Sequence, residues 1–178
     1  MKALLKKLLS NARLVSGAVF LLSVFALAAA FTSQYVFHMM PCPLCLAQRV
    51  PYAVTALLGL VAFILAIMGK PKKTALLVFI CAAVFLIGAG IAALHAGVEQ
   101  HWWESPVEGC KVSFGNDESA KSWLERIEAT AAAPCDKVAW SDPVLHLSMA
   151  AWNLIASLAL CAASLFGSIF IVRKANGF

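Results

Sequence analysis

Four uncharged apolar stretches constrain this chain more than any other feature. They run over residues 14–37, 50–68, 74–94 and 144–172, and none contains Lys, Arg, Asp or Glu. About 20 helical residues cross a bilayer core of about 30 Å, so each stretch is long enough to span. Composition agrees. Of the 178 residues, 62% are hydrophobic and 13% charged, against about 45–50% and about 25% in soluble domains. The sequence predicts an all-α integral membrane protein, with residues 1–178 forming a single membrane domain. Gly69-Lys70-Pro71 stops the second span and makes a short antiparallel connection. The expected architecture is an up-down four-helix bundle. Gly17, Gly59, Gly88, Gly90 and many alanines lie along the spans. They either permit close helix approach in lipid or simply fill the helices.

A formal net charge of +5 raises the question of nucleic acid, but the distribution of that charge excludes it. Lys2, Lys6, Lys7 and Arg13 precede the first span, Lys70, Lys72 and Lys73 fill the link between spans two and three, and Arg173 and Lys174 follow span four. All nine acidic residues, Glu99 to Asp142, lie between spans three and four. The positive-inside rule then places both termini and the 69–73 link in the cytoplasm. Two loops, 38–49 and 95–143, fall on the exported side. The basic start of span one and the run Ala28-Ala29-Ala30 fit a cleaved signal peptide. Signal apolar regions run only about 7–15 residues, however, so a retained helix is expected.

The second exported loop is not uniform. Its middle, Asp117 to Ala132, reads as a short helix capped by Asn116 or Asp117, with Glu118 in the first turn. Ala120, Trp123, Leu124 and Ile127 fall on one side of it. Such an amphipathic helix lies either along the membrane interface or on the end of the bundle itself.

Chemistry points to the cysteines. Cys42-Pro-Leu-Cys45 sits where span one ends and span two is about to begin. C-x-x-C is a redox or metal motif. Structural zinc usually wants two close pairs, and no second C-x-x-C exists; haem attachment wants a following His, and residue 46 is Leu. The sequence therefore predicts a redox pair and no metal site. A dithiol at a membrane surface faces water and lipid at once, so it can pass electrons between a soluble partner and a lipid-dissolved carrier. Pro43 suits the first turn of a helix. A helix starting there puts Cys45 near its positive end and Arg49 on nearly the same face, and both favour thiolate. Pro51 should then kink that helix. Alternatively, the regular helix starts only at Pro51.

Cys110 and Cys135 lie in the second loop, in the same compartment, where disulfides persist. Their flanks, Glu108-Gly109 and Ala133-Pro134, read as flexible and accessible. These cysteines serve either as a static staple or, in a mobile and exposed bond, in exchange. Cys81 and Cys161 are deep within spans three and four and read as small apolar fillers. His95, at the end of span three, is a candidate donor to a bound carbonyl, with Gln100 and His101 weaker ones. Met39 and Met40 either line an apolar pocket or pack.

Pro41-Cys42-Pro-Leu-Cys45-Leu-Ala-Gln48-Arg49 resembles the signature of the DsbB family, the membrane disulfide-generating quinone reductases. The resemblance extends to the four spans, the cysteine pair in each exported loop, the segment from His95 to Gln100, and Trp140, Leu147-Ser-Met149 and Trp152. It implies that Cys42, Cys45, Cys110 and Cys135 are catalytic. Cys110–Cys135 would be the disulfide that a reduced, DsbA-like periplasmic thiol oxidase approaches. Cys110 would take the mixed disulfide, and Cys135 would connect the loop pair to Cys42. Cys45 would face a quinone, ubiquinone or menaquinone, held by Arg49 with His95 as a second contact. Electrons would leave to the membrane quinone pool of a bacterial inner membrane. The charged segment 111–134 departs from the family pattern and bears on partner choice. Two other classes share parts of this layout. The vitamin K epoxide reductase type carries its active C-x-x-C near the end of the bundle, unlike this chain. A non-enzymatic scaffold with structural disulfides would lack quinone-dependent turnover.

Overall fold

The computed structural model describes residues 8–107, Cys110 and residues 133–177. Within them run α1 (Ala12–Tyr35), the short α2 (Pro43–Ala47), α3 (Arg49–Ile67), α4 (Pro71–Glu99) and α5 (Met149–Ala175). The chain folds as an all-helical membrane bundle. Four helical segments are long and apolar enough to cross a membrane, with α2 and α3 together making the second. The amphipathic helix expected over 117–132 lies outside the described residues.

Helix ends follow from local chemistry. Asn11 caps α1, its side chain accepting from the backbone N–H of Arg13 and Leu14. At the end of α3, Gly69 takes φ +69°. The N–H groups of Gly69 and Lys70 turn back to the carbonyls of Ala66 and Leu65, and Pro71 opens α4 where its missing N–H costs nothing. His101 closes α4 in the same way. With φ 58° it lets its own N–H reach Val98 and that of Trp102 reach Gly97.

The second span combines both expected starts. A helix does begin at Pro43, but it breaks at Gln48 and restarts at Arg49. Pro51 explains the break. It cannot donate to the carbonyl of Ala47, and its ring crowds that carbonyl. The chain turns at Gln48 instead, and Pro51 falls in the first turn of α3, where no intrahelical donor is needed. At the other boundaries, α4 continues to Glu99 rather than stopping at residue 94, and α5 starts at Met149 rather than 144. Residues 143–145 form a turn in which Leu145 N–H donates to Asp142 Oδ2 at 2.6 Å, and Ser148 caps α5.

Packing is apolar outside and small or polar inside. Leu21, Phe25 and Ile87 are 64%, 71% and 63% exposed, whereas Ser16, Ser23, Thr55, Ser157 and Ser164 are buried. That inversion is what lipid requires, because tails solvate Leu and Phe as well as a core would. Of these buried hydroxyls Ser164 Oγ has no hydrogen-bond partner among the described residues, whereas Ser23 Oγ lies 2.9 Å from Thr55 Oγ1 and Thr55 donates to the Pro51 carbonyl. α4 packs most extensively on α5, α1 on α3, and α3 on α4. Gly59 permits the α1–α3 approach, since a Cβ there would stand 2.9 Å from Phe20 N. Gly88 similarly admits Pro51, while Gly90 faces open space. The small residues are thus a packing device at the first two positions and filler at the third.

Candidate functional site

One end of the bundle gathers the four loop cysteines. Cys42 caps α2, its Sγ accepting from Cys45 N–H at 3.1 Å. The C-x-x-C spacing puts the two side chains on one turn, with Sγ atoms 2.8 Å apart and the Cys42 S–H donating to Cys45. Both are free thiols; Cys42 is buried and Cys45 half-buried. The hydrogen bond to Cys45 and then burial push the Cys42 thiol well above the ordinary thiol range. α2 has only five residues, so the helix-end charge expected at Cys45 comes from little more than one turn.

Cys110 and Cys135 form a disulfide. It is not exposed, as the flexible flanks had suggested. Cys110 is 2% and Cys135 0% exposed, and both pack with Cys42, Leu44 and Val98 in one apolar cluster that Cys45 and Ala133 border. The disulfide therefore shares one apolar cluster with the dithiol. Burying two apolar sulfurs against the helix ends costs less than leaving them in water.

His95 and Glu99 lie one turn apart near the end of α4, on the face toward the dithiol. His95 Nε2 is 3.5 Å from Cys42 Sγ and 3.8 Å from Glu99 Oε1. Both residues are buried, and Glu99 Oε2 has no hydrogen-bond partner. His95 is oriented from behind by a directed chain of hydrogen bonds. Tyr52 Oη donates to Asn153 Oδ1 at 2.5 Å, Asn153 Nδ2 donates to Gln48 Oε1, and Gln48 Nε2 donates to His95 Nδ1 at 2.7 Å. Ser157, 3.1 Å from the same phenol oxygen, completes the chain as donor. With Nδ1 accepting, the neutral ring carries its proton on Nε2, facing Cys42.

Arg49 opens α3, but its guanidinium reaches across to α1. It donates to Gln34 Oε1 at 2.6 Å and to the Ala30 carbonyl at 3.4 Å, and it sits 5.0 Å over the Phe31 ring. Between these groups lies a cavity of about 330 Å³. Cys42, Cys45, Arg49 and His95 line it together with Met39, Met40, Trp140 and Trp152. The structure thus brings the dithiol, Arg49 and His95 to one cavity and the loop disulfide against its wall. Gln100 and His101 are exposed and do not line it. Cys81 is buried inside the bundle beside Val19, Tyr52 and Phe85, as a filler would be.

Sequence reasoning passed over Gln34, Gln48, Tyr52, Glu99 and Asn153. A signal existed for Gln34 and Asn153, which are the amide side chains inside the predicted spans. A polar group at membrane depth needs a partner and marks a site by default.

A four-helix membrane bundle holding a dithiol, an adjoining disulfide and an apolar cavity defines a membrane thiol–disulfide redox protein. The family model described as Disulfide bond formation protein DsbB matches residues 12–167. The chain belongs to that family, and with it to the disulfide-forming oxidoreductases of membranes. It is 30% identical to Disulfide bond formation protein B of Herminiimonas arsenicoxydans, over 83% of this chain and 89% of that one. The corresponding protein of Nitrosococcus oceani is 32% identical over 83% and 85%. A Rickettsia prowazekii relative described as Uncharacterized protein RP370 is 26% identical over 87% and 86%. No solved structure matches the chain.

Proposed function

We propose that this protein reoxidises a thioredoxin-like dithiol oxidase, similar to DsbA, in the bacterial periplasm and passes two electrons to a membrane quinone. Catalysis rests on Cys42, Cys45, Cys110 and Cys135, with Arg49 and His95 holding the quinone. The observation that carries this reading is the packing of the Cys110–Cys135 disulfide and the Cys42/Cys45 dithiol into one apolar cluster, with the dithiol lining a cavity. A soluble-side bond and a membrane-side pair in contact form a relay.

The first exchange breaks the Cys110–Cys135 bond. A partner thiolate attacks Cys110 Sγ, and Cys135 leaves as the thiolate. The partner's second thiol then resolves the mixed disulfide, so the partner is oxidised and the loop pair reduced. Cys135 next attacks Cys42 Sγ of an oxidised Cys42–Cys45 pair, releasing Cys45. After Cys110 resolves that bond, the loop disulfide is restored and Cys42 and Cys45 are thiols, the state seen in the structure.

The cavity suits a quinone. Its volume of about 330 Å³ is at the lower bound of small-molecule sites, which run from about 300 Å³. Its lining is mainly apolar, with Gln34, Gln48, Arg49 and His95 among its polar groups. A bound quinone supplies an acceptor for two electrons and two protons. Arg49, fixed by Gln34 and Phe31, would hold the quinone by offering a permanent positive charge to a carbonyl oxygen. His95 offers Nε2–H as donor, and the proton of Cys42 is the nearest replacement for one it gives up. Positive charge around spans one, three and four supports cytoplasmic termini and periplasmic redox loops.

The decisive experiment mixes the protein in detergent, under nitrogen, with a reduced DsbA-like oxidase and ubiquinone or menaquinone. Expected is stoichiometric quinol, followed by absorbance, with matching oxidation of the partner. Absence of quinol from fully folded protein would return the chain to the scaffold class.

A further inference from the structure

The sequence argument against a metal rested on the missing second ligand pair. α4 supplies one. Cys42 and Cys45, at i and i+3, meet His95, and Glu99 lies one turn further along α4 beside that His. Cys42 Sγ, Cys45 Sγ and a ring nitrogen of His95 all lie within 4.8 Å of one another. Glu99 Oε1 is 3.8 Å from His95 Nε2, and its Oε2 is buried without a partner. We propose that the reduced protein binds one thiophilic divalent cation, Zn²⁺ being the best match, through Cys42, Cys45, His95 and Glu99, and that this withdraws the dithiol from oxidation.

Geometry and donor chemistry agree. Zinc takes four ligands in a tetrahedron, with bonds of about 2.3 Å to sulfur and about 2.0–2.2 Å to nitrogen and oxygen. The edges of that tetrahedron are about 3.8 Å for S···S, about 3.5 Å for S···N and about 3.3 Å for N···O. Cys42 Sγ to His95 Nε2 is already 3.5 Å. The N···O edge must close from 3.8 Å and the S···S edge must open from 2.8 Å. Glu99 stands outside the 4.8 Å cluster that the other three ligands form, so its side chain has to rotate toward the sulfurs to complete the tetrahedron. Two thiolates, an imidazole and a carboxylate form the mixed set that favours zinc over calcium or magnesium. On binding, two thiol protons leave to solvent as two metal–sulfur bonds form, and no electrons move.

The orienting chain behind His95 can serve this role as well. Coordination through Nε2 moves the ring proton to Nδ1, which then needs an acceptor. Gln48 presents Oε1 when its amide turns over. The same reversal runs through Asn153 and Tyr52 to Ser157 without breaking a link. Metal sites commonly hold a ligating His by such a second partner. Occupancy is tied to redox state, because a Cys42–Cys45 disulfide offers no thiolates. This inference does not depend on which electron acceptor the protein uses.

The test uses full-length Cys110→Ser/Cys135→Ser protein in detergent, reduced, freed of reductant under nitrogen and titrated with Co²⁺. Expected is one Co²⁺ per chain, with thiolate-to-cobalt absorption in the near ultraviolet and the intense visible bands of a tetrahedral site, all bleached by Zn²⁺. Protein oxidised at Cys42–Cys45 should give none. Glu99→Gln and His95→Ala should each weaken binding by about tenfold or more. His95→Cys should instead retain the metal and raise the charge-transfer band by about half, as thiolates go from two to three. Saturating Zn²⁺ should protect Cys45 from alkylation. The proposal is overturned if reduced protein takes up no cobalt, if either weakening variant binds as tightly as its parent, or if His95→Cys leaves the band unchanged.

Discussion

At the scale of the residue, Arg49 is the sharpest case. Its place four residues after Cys45 led to the expectation that the two act on each other directly. The structure ties the guanidinium to Gln34 and Ala30 of α1, over the Phe31 ring, and keeps it on the wall of the cavity that Cys45 also lines. Its charge is thereby fixed in position, as a preorganised donor to a carbonyl gaining electrons should be. Arg49→Ala should raise the apparent quinone KM by more than tenfold, equivalent to about 1.4 kcal/mol or more. Arg49→Lys should recover only part, because lysine keeps the charge but not the planar fork that spans Gln34 and Ala30. Steady-state quinone titrations of the three proteins decide it, and an unchanged KM in Arg49→Ala would reduce Arg49 to a membrane anchor. Cys42, Cys45, Arg49 and His95 were legible because spacing and charge marked them. Gln48 was not. Its meaning lies in an amide chain joining α2's end to α5, and contacts between distant elements leave no local pattern.

At the scale of the element, the four spans were legible because a bilayer sets their length. The end of α4 and the start of α5 were not, because hydropathy does not register them, whereas Gly69-Lys70-Pro71 marked the turn between α3 and α4. His95 and Glu99 continue α4 past its most apolar stretch, and that extra turn places them at the dithiol. The break at Gln48 was half legible. Pro43 and Pro51 each announce a helix start, and the chain uses both. Glycine positions separate packing from filler, and that separation is measurable. Gly59→Ala drives a Cβ to 2.9 Å from Phe20 N and 3.1 Å from Phe20 Cα, both backbone atoms that cannot rotate away. It should destabilise by about 1–3 kcal/mol, the usual cost of overpacking. Gly90→Ala meets nothing within 4 Å and should be neutral or slightly stabilising, since alanine is the better helix former. Thermal unfolding midpoints in one detergent should fall for the first and hold or rise for the second. The opposite order would mean the α1–α3 contact is not tight.

At the scale of the whole molecule, the proposed function divides into two reactions. Partner chemistry would begin at the Cys110–Cys135 bond, and membrane chemistry would end at Cys45 and the cavity. Cys81 and Cys161 belong to neither, so replacing both with Ala should leave turnover nearly intact. Burial of the loop disulfide adds a requirement that its flanks did not suggest. With Cys110 only 2% exposed, a soluble partner in the proposed relay would have to uncover that sulfur before its thiolate could reach it. The membrane-side pair needs no such opening, because Cys45 already lines the cavity. Removing the loop sulfurs should therefore disable the first reaction and spare the second. In Cys110→Ser/Cys135→Ser protein, added quinone should still convert the Cys42/Cys45 dithiol to a disulfide, at a rate within a few-fold of the parent. Oxidation of the reduced soluble partner should fall to background. Rapid acid quench followed by thiol-specific mass tagging counts free cysteines in each arm. If Cys42 and Cys45 stay reduced with quinone present, the two stages are not separable, and the loop disulfide supports the cavity itself rather than feeding it electrons.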